Sequence, residues 1–192
     1  MKIRQAEAED AEQVAQLALS AGAGMPAFFW QQLEKKYHST LEAGAARLLQ
    51  GTDSFSLSNV RVGIINRHIA GMIMAYPLAQ DYRLPREGMP AFIYPLEQLK
   101  VEVAGSFFVN MLATTPEFMR RSVATQLMAI VDQWARQSRC EISSLVVFEQ
   151  NEAALRLYER LGYQEQARRK VIPHPCLTYS GDVLLLTRPI MK

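Results

Sequence analysis

Residues 105–138 constrain this chain more than any other stretch. Residues 105–114 read as a strand, with Phe108, Asn110, Leu112 and Thr114 on one face and Phe107, Val109, Met111 and Ala113 on the other. After a short turn, residues 120–138 read as a helix opened by Arg120 and Arg121. Its Leu127, Ile130, Val131 and Trp134 fall at i, i+3, i+4 and i+7 and make one buried stripe. Residues 142–148 are a second strand, closing on the unbroken run Leu145-Val146-Val147-Phe148 expected of a strand covered on both faces. Strand, helix, strand in this order is a crossover, and crossovers imply a mixed sheet with helices packed on its faces. The start of such a helix also carries free backbone N–H groups and partial positive charge, a natural seat for phosphate.

The flanking segments supply the rest of the sheet and its cover. Residues 2–5 suit a short first strand. Residues 9–20 place Val14, Leu17 and Ala18 at helical spacing, and Ala21-Gly22-Ala23-Gly24 stops them. Residues 25–36 read as a second helix with Phe28, Phe29 and Leu33 on one side, and residues 40–49 as a third. Residues 60–65 and 69–76 are β-rich, with Asn66-Arg67-His68 as a tight hairpin connection. Residues 77–95, rich in proline and charge, read as a loop. Downstream, Asn151 caps a short helix that buries Ala154, Leu157, Tyr158 and Leu161, and Gly162 ends it in the usual position. Residues 163–169 and 182–188 are two final strands, with turns at Pro173-His174-Pro175-Cys176 and Ser180-Gly181.

A chain of 192 residues fits one full hydrophobic core, so a single domain over residues 1–192 is expected. No apolar run reaches the roughly 18 residues of a membrane span, and the N-terminus has no apolar signal region, so no membrane association and a cytoplasmic location are expected. A net charge of +2 with dispersed basic residues gives no reason to expect nucleic acid. Cys140 and Cys176 read as free thiols. His38, His68 and His174 show no ligand spacing with each other or with the cysteines, so no metal site is expected.

Two segments together resemble the GNAT family of N-acetyltransferases. Asn151, Ala154, Tyr158, Gly162 and Tyr163 match that family's Asn-x-x-Ala-x-x-x-Tyr-x-x-x-Gly-Phe/Tyr segment. Leu112-Ala113-Thr114 and Pro116-Glu117-Phe118 look like the pieces before its pyrophosphate turn, which reads Arg/Gln-x-x-Gly-x-Gly/Ala. Here Met119 stands at the Arg/Gln position, Ser122 at the first glycine and Ala124 at the Gly/Ala position, so only the last matches. The resemblance implies an α/β fold with a central mixed sheet of about seven strands flanked by helices on both faces. It implies acetyl-CoA (coenzyme A) as cofactor, and as partner a primary amine acceptor on a small molecule or a protein. A homodimer is expected on the ground that symmetric dimers are the commonest oligomer.

Residue by residue, the resemblance implies cofactor contacts at Met111, Leu112, Ala113, Thr114, Met119, Arg120, Arg121, Ser122, Val123, Ala124, Thr125, Asn151 and Ala154. The amide of Met111 or Leu112 would polarise the thioester carbonyl. Serine at position 122 fits if its φ is negative, and its hydroxyl then either donates to a phosphate or obstructs it. Periodicity alone makes Tyr158 a core aromatic; the resemblance makes it the acid that protonates the leaving thiolate. Asn110 stands where some relatives carry an acid or a water-binding residue, so the amine is expected to lose its proton through ordered water, since Glu102, Glu149 and Glu152 fall at no buried strand position. The Phe28-Phe29-Trp30 cluster suits the core or a wall of the acceptor pocket, and residues 21–50 and 78–100 should hold specificity. The replacements at Met119 and Ser122 also admit a non-catalytic relative that senses CoA or binds a protein.

Overall fold

The computed structural model describes residues 1–33, 36–84 and 88–191. Its elements run β1 (Lys2–Gln5), α1 (Ala11–Ala21), α2 (Met25–Gln31), α3 (Thr40–Gln50), β2 (Val60–Ile65) and β3 (His68–Pro77). Then come α4 (Tyr94–Val101), β4 (Phe107–Thr114), α5 (Val123–Met128), α6 (Val131–Gln137) and β5 (Ile142–Phe148). The chain ends in α7 (Glu152–Arg160), β6 (Gln164–Lys170) and β7 (Asp182–Pro189). The seven strands form one mixed sheet in the order β1-β2-β3-β4-β5-β7-β6, flanked by helices. The chain divides into two compact units: Met1–Ala75 with Met111–Ile130, and Tyr76–Asn110 with Val131–Lys192.

In the first unit β1 and β2 pair antiparallel, as do β2 and β3. The β2–β3 hairpin closes on the pair Ile65–His68, and both residues between them are left-handed, Asn66 at φ 49° and Arg67 at φ 70°. Two positive φ values in a two-residue loop give the turn whose twist matches the strands. Ahead of α1, Asp10 accepts a hydrogen bond from the Glu7 amide at 2.7 Å and pairs with Arg4 at 2.6 Å. The Arg4 hydrogen bond holds the Asp10 carboxyl below its ordinary range. Val14, Ala15, Leu17 and Ala18 of α1 are buried, and Ser39 caps α3 by accepting from the Glu42 amide.

Helix α2 differs from its expected extent. It ends at Gln31 rather than residue 36, and residues 34 and 35 lie outside the described residues. The buried aromatic is Trp30, at 1% exposure, while Leu33 is 40% exposed. The indole packs edge-on against Phe55, 5.4 Å between ring centres. It also lies so close to α3 that a Cβ on Gly44 would sit 2.4 Å from it, so that glycine is what admits the ring.

The second unit pairs β4 with β5 in parallel, β5 with β7 antiparallel and β6 with β7 antiparallel. The β4–β5 ladder has the pairs Phe107–Ser143, Phe108–Ser144 and Val109–Leu145 and ends there. The half-buried Trp134 of α6 tilts onto Phe107 at 5.3 Å.

Two expectations are corrected. Residues 120–138 do not form one helix: α5 ends at Met128, α6 starts at Val131, and no glycine or proline marks the interruption. The stripe shifts accordingly, so that Leu127, Met128, Val131 and Ala135 are buried. Residues 77–95 are not loop throughout: a 3-10 turn over Ala91–Ile93 leads into α4, and Pro95 occupies its first turn, where a missing N–H costs nothing. Residues 85–87 of that segment lie outside the described residues.

Candidate functional site

The site residues expected from sequence fall into two sets, one in each unit. In the first unit, β4 is fastened at its end where the Thr115 amide donates to Ala70 O at 2.9 Å and the Thr115 hydroxyl to Ile69 O at 2.8 Å. Pro116 then opens a 3-10 turn, closed by Phe118 N to Thr115 O at 2.9 Å. Arg120 follows at φ 60° and Ser122 at φ 57°. The condition on which serine would fit without strain, a negative φ, is not met: serine holds the left-handed backbone that favours glycine, at a cost of roughly 1–2 kcal/mol.

Ser122 is the N-cap of α5, and its side chain makes no capping bond. The first helical bond runs from Gln126 N to Ser122 O at 3.0 Å, so the amides of Val123, Ala124 and Thr125 precede it. With six residues α5 has little dipole, and the positive charge at this turn comes mainly from Arg120 and Arg121, both exposed. The Arg121 guanidinium lies over the Phe118 ring at 5.7 Å. Met119 is 59% exposed and brings no charge to the lead position.

Gly71 of β3 fixes where α5 sits. A Cβ there would come within 2.5 Å of Ala113 O, 2.9 Å of Val123 Cγ1 and 3.3 Å of Leu127 Cδ1. The missing side chain thus lets α5 press its buried Val123 and Leu127 against the strand, leaving Thr125 exposed and Ala124 half-buried. Along β4, Ala113 is buried and Met111, Leu112 and Thr114 are half-buried.

In the second unit Asn110 is half-buried on β4. Asn151 N bonds to Phe148 O at 2.9 Å, and its side-chain oxygen accepts from the Ala154 amide at 3.3 Å, capping α7 as expected. The cap uses Oδ1, so the amide NH2 is the group Asn151 can offer a ligand. Of the α7 residues expected in the core only Tyr158 is buried, at 8% exposure; Ala154, Leu157 and Leu161 are half-buried. Gly162, at φ 83°, lets the chain turn so that Tyr163 N bonds to Tyr158 O at 3.0 Å. The two phenol rings then meet edge-on at 5.8 Å. Burial, and next the neighbouring Tyr163, push the Tyr158 hydroxyl well above the ordinary phenol range. Tyr163 itself shares a 2.6 Å hydrogen bond with the Ser143 hydroxyl, and the Arg188 guanidinium lies 5.1 Å over its ring.

The three glutamates near these segments are bound to arginines. Glu102 pairs with Arg169, Glu149 with Arg168 at 3.3 Å, and Glu152 with Arg156 at 3.0 Å. Phe29 lines a cleft of about 370 Å³ in the first unit, together with Leu33, Tyr37, Arg47, Gln50 and Asp53; all of these but Asp53 lie within residues 21–50, one of the two segments where specificity was expected.

Two clusters were missed from sequence. On α4, Glu97 accepts from Lys100 at 3.0 Å and from the Tyr82 hydroxyl, and the ammonium lies over the rings of Tyr82 at 5.0 Å and Phe108 at 5.4 Å. Burial works against that ammonium, but Tyr76 and Glu97 beside it more than offset this, so Lys100 stays charged. The spacing of three between Glu97 and Lys100 was the available signal. The other cluster pairs His174 with Cys176. Among the described residues no group of three or more His, Cys, Asp or Glu could hold a metal, and no helix is long and apolar enough to cross a membrane.

A mixed seven-stranded sheet with helices on it, a parallel β4–β5 pair and a left-handed turn into α5 define an α/β fold. Residues 26–163 match the acetyltransferase (GNAT) family, and the chain belongs to it. Its fold is similar to an N-acetyltransferase from Staphylococcus aureus Mu50, with TM-score 0.63, 18% identity, and 98% of this chain and 100% of that one covered. It is similar to agmatine N-acetyltransferase, with TM-score 0.68, 18% identity and 98% of each chain covered. It is also similar to the ribosomal-protein-S18-alanine N-acetyltransferase of Escherichia coli, with TM-score 0.60, 13% identity, and 100% of this chain and 94% of that one covered. No curated protein matches the sequence.

Proposed function

We propose that the protein is an acetyl-CoA-dependent N-acetyltransferase that passes an acetyl group directly to a primary amine of a small molecule or a protein. The observation that carries this reading is the backbone of Ser122. Its φ of 57° is the conformation a glycine at this place would adopt, so the turn keeps its form although the residue has changed. This supports a turn that holds the cofactor over a relative that only binds a protein, for which a relaxed turn would serve as well.

The residues present fit the cofactor. The amides of Val123, Ala124 and Thr125 and the side chains of Arg120 and Arg121 offer donors and charge to a pyrophosphate, and Met119 adds apolar contact. The strand residues Met111, Leu112, Ala113 and Thr114 offer backbone groups to a pantetheine arm in the manner of an added strand, with an amide of Met111 or Leu112 aimed at the acyl oxygen. On α7, the family resemblance makes Asn151, through its NH2, and Ala154 the groups offered to the cofactor. Acetyl-CoA, when bound, supplies an acetyl group activated as a thioester.

Tyr158 keeps its proton at neutral pH because burial opposes its ionisation, and so it holds an acid ready for a departing thiolate. Asn110 holds water for the amine's proton, a role that agrees with Glu102, Glu149 and Glu152 being tied to arginines. Among proteins of similar fold, one is named for agmatine and one for a ribosomal protein's alanine, which spans the two acceptor types. The test is a thiol-release assay with acetyl-CoA over a panel of amines, with Tyr158→Phe beside the wild type. Turnover on no amine, with no melting shift from acetyl-CoA or CoA, would overturn the reading.

A further inference from the structure

Within the connection from β6 to β7, the Nδ1 atom of His174 lies 3.0 Å from the sulfur of Cys176. The same nitrogen accepts the Cys176 backbone N–H at 3.2 Å. An imidazole nitrogen accepts an amide hydrogen through its lone pair, so in this arrangement Nδ1 is the ring's basic atom and shares that single lone pair between the Cys176 amide and the thiol beside it. The ring is held in plane by stacking on Phe92, 4.3 Å between centres and 27° between planes, and Phe92 is buried. Cys176 is half-buried, whereas Cys140 is buried and its thiol donates to the Ser138 carbonyl at 3.7 Å. Partial burial pushes the Cys176 thiol up, so it rests protonated, and a base in contact with the proton is what makes such a thiol a nucleophile.

We infer that Cys176 and His174 form a nucleophile–base pair through which the chain takes up a small thiol by disulfide exchange. The sulfur of Cys176 attacks one sulfur of a low-molecular-weight disulfide while its proton passes to Nδ1 of His174. The disulfide's S–S bond breaks as the new one forms, and the departing thiolate receives the proton. Cys176 is thereby oxidised to a mixed disulfide, the reagent's other half leaves as the reduced thiol, and the reagent is itself the oxidant.

The experiment follows release of thiopyridone from dithiodipyridine by the folded protein at neutral pH, in Cys140→Ser and Cys176→Ser backgrounds, with free cysteine as reference. The expected result is reaction at Cys176 faster than free cysteine and little at Cys140. His174→Asn keeps an acceptor for the Cys176 amide but removes the base, and slows Cys176 at least about tenfold. Added imidazole should then speed His174→Ala and not the wild type, a rescue that a merely structural histidine would not show. A Cys176 thiol no faster than free cysteine, or a His174→Asn protein of unchanged rate, overturns the inference.

Discussion

At the scale of single residues, Ser122 and Tyr158 carry the most. Ser122 sits at φ 57° with no capping bond to offset the strain, so Ser122→Gly should raise stability by about 1 kcal/mol, read from denaturant midpoints. The same change should leave CoA affinity equal or improved, because the backbone already has the form glycine would take. Tyr158→Phe should lower kcat by about 10²–10⁴-fold with little change in KM, since only the proton is removed. Burial raises this phenol in the folded state above its value of about 10 in the unfolded chain. Its contribution to stability is thus full below about pH 10 and is lost as pH rises beyond. Accordingly kcat should show no falling limb from Tyr158 up to about pH 10, which a pH–rate profile of wild type against Tyr158→Phe measures.

At the scale of elements, Gly71 sets the approach of α5, and α4 is held by a half-buried ion pair. Gly71→Ala would push on the Ala113 carbonyl as well as on Val123. It should cost about 1–3 kcal/mol and weaken the CoA-dependent melting shift, while a substitution at the exposed Lys2 of β1 does neither. Lys100→Met leaves Glu97 without its ammonium while the Tyr82 hydroxyl still donates, and should destabilise by about 1–3 kcal/mol; adding Glu97→Leu should recover part of that. These elements also show what was legible in the chain beforehand. Asn151 through Tyr163 could be read closely because a cap, a helical period and a C-terminal glycine each leave a residue-type mark. Helix α4 was hidden because Pro95 looks like a breaker when it stands outside its helix context, and the gap between α5 and α6 has no breaker at all. The turn's departures at Met119 and Ser122 were visible as letters, but the φ of Ser122 was not, since a serine side chain carries no mark of a left-handed backbone. The partnership of His174 and Cys176 escaped because a spacing of two means contact only once a turn folds it so.

At the scale of the whole molecule, binding must show as stability. CoA at about 100 times its Kd should add about 2.7 kcal/mol to unfolding, seen as a rise in Tm that increases with ligand concentration. The two tryptophans offer a finer view, because Trp30 lies fully buried in one unit and Trp134 half-buried in the other. Each is a built-in fluorophore for its own half, so Trp30→Phe and Trp134→Phe proteins glow from one half at a time. Strand β4 runs through both units, Phe107 to Asn110 in one and Met111 to Thr114 in the other, so melting either half strips part of a strand from its neighbour. The two emission curves should therefore fall at one midpoint, and a pair of separated midpoints would reveal two folding units written along a single strand.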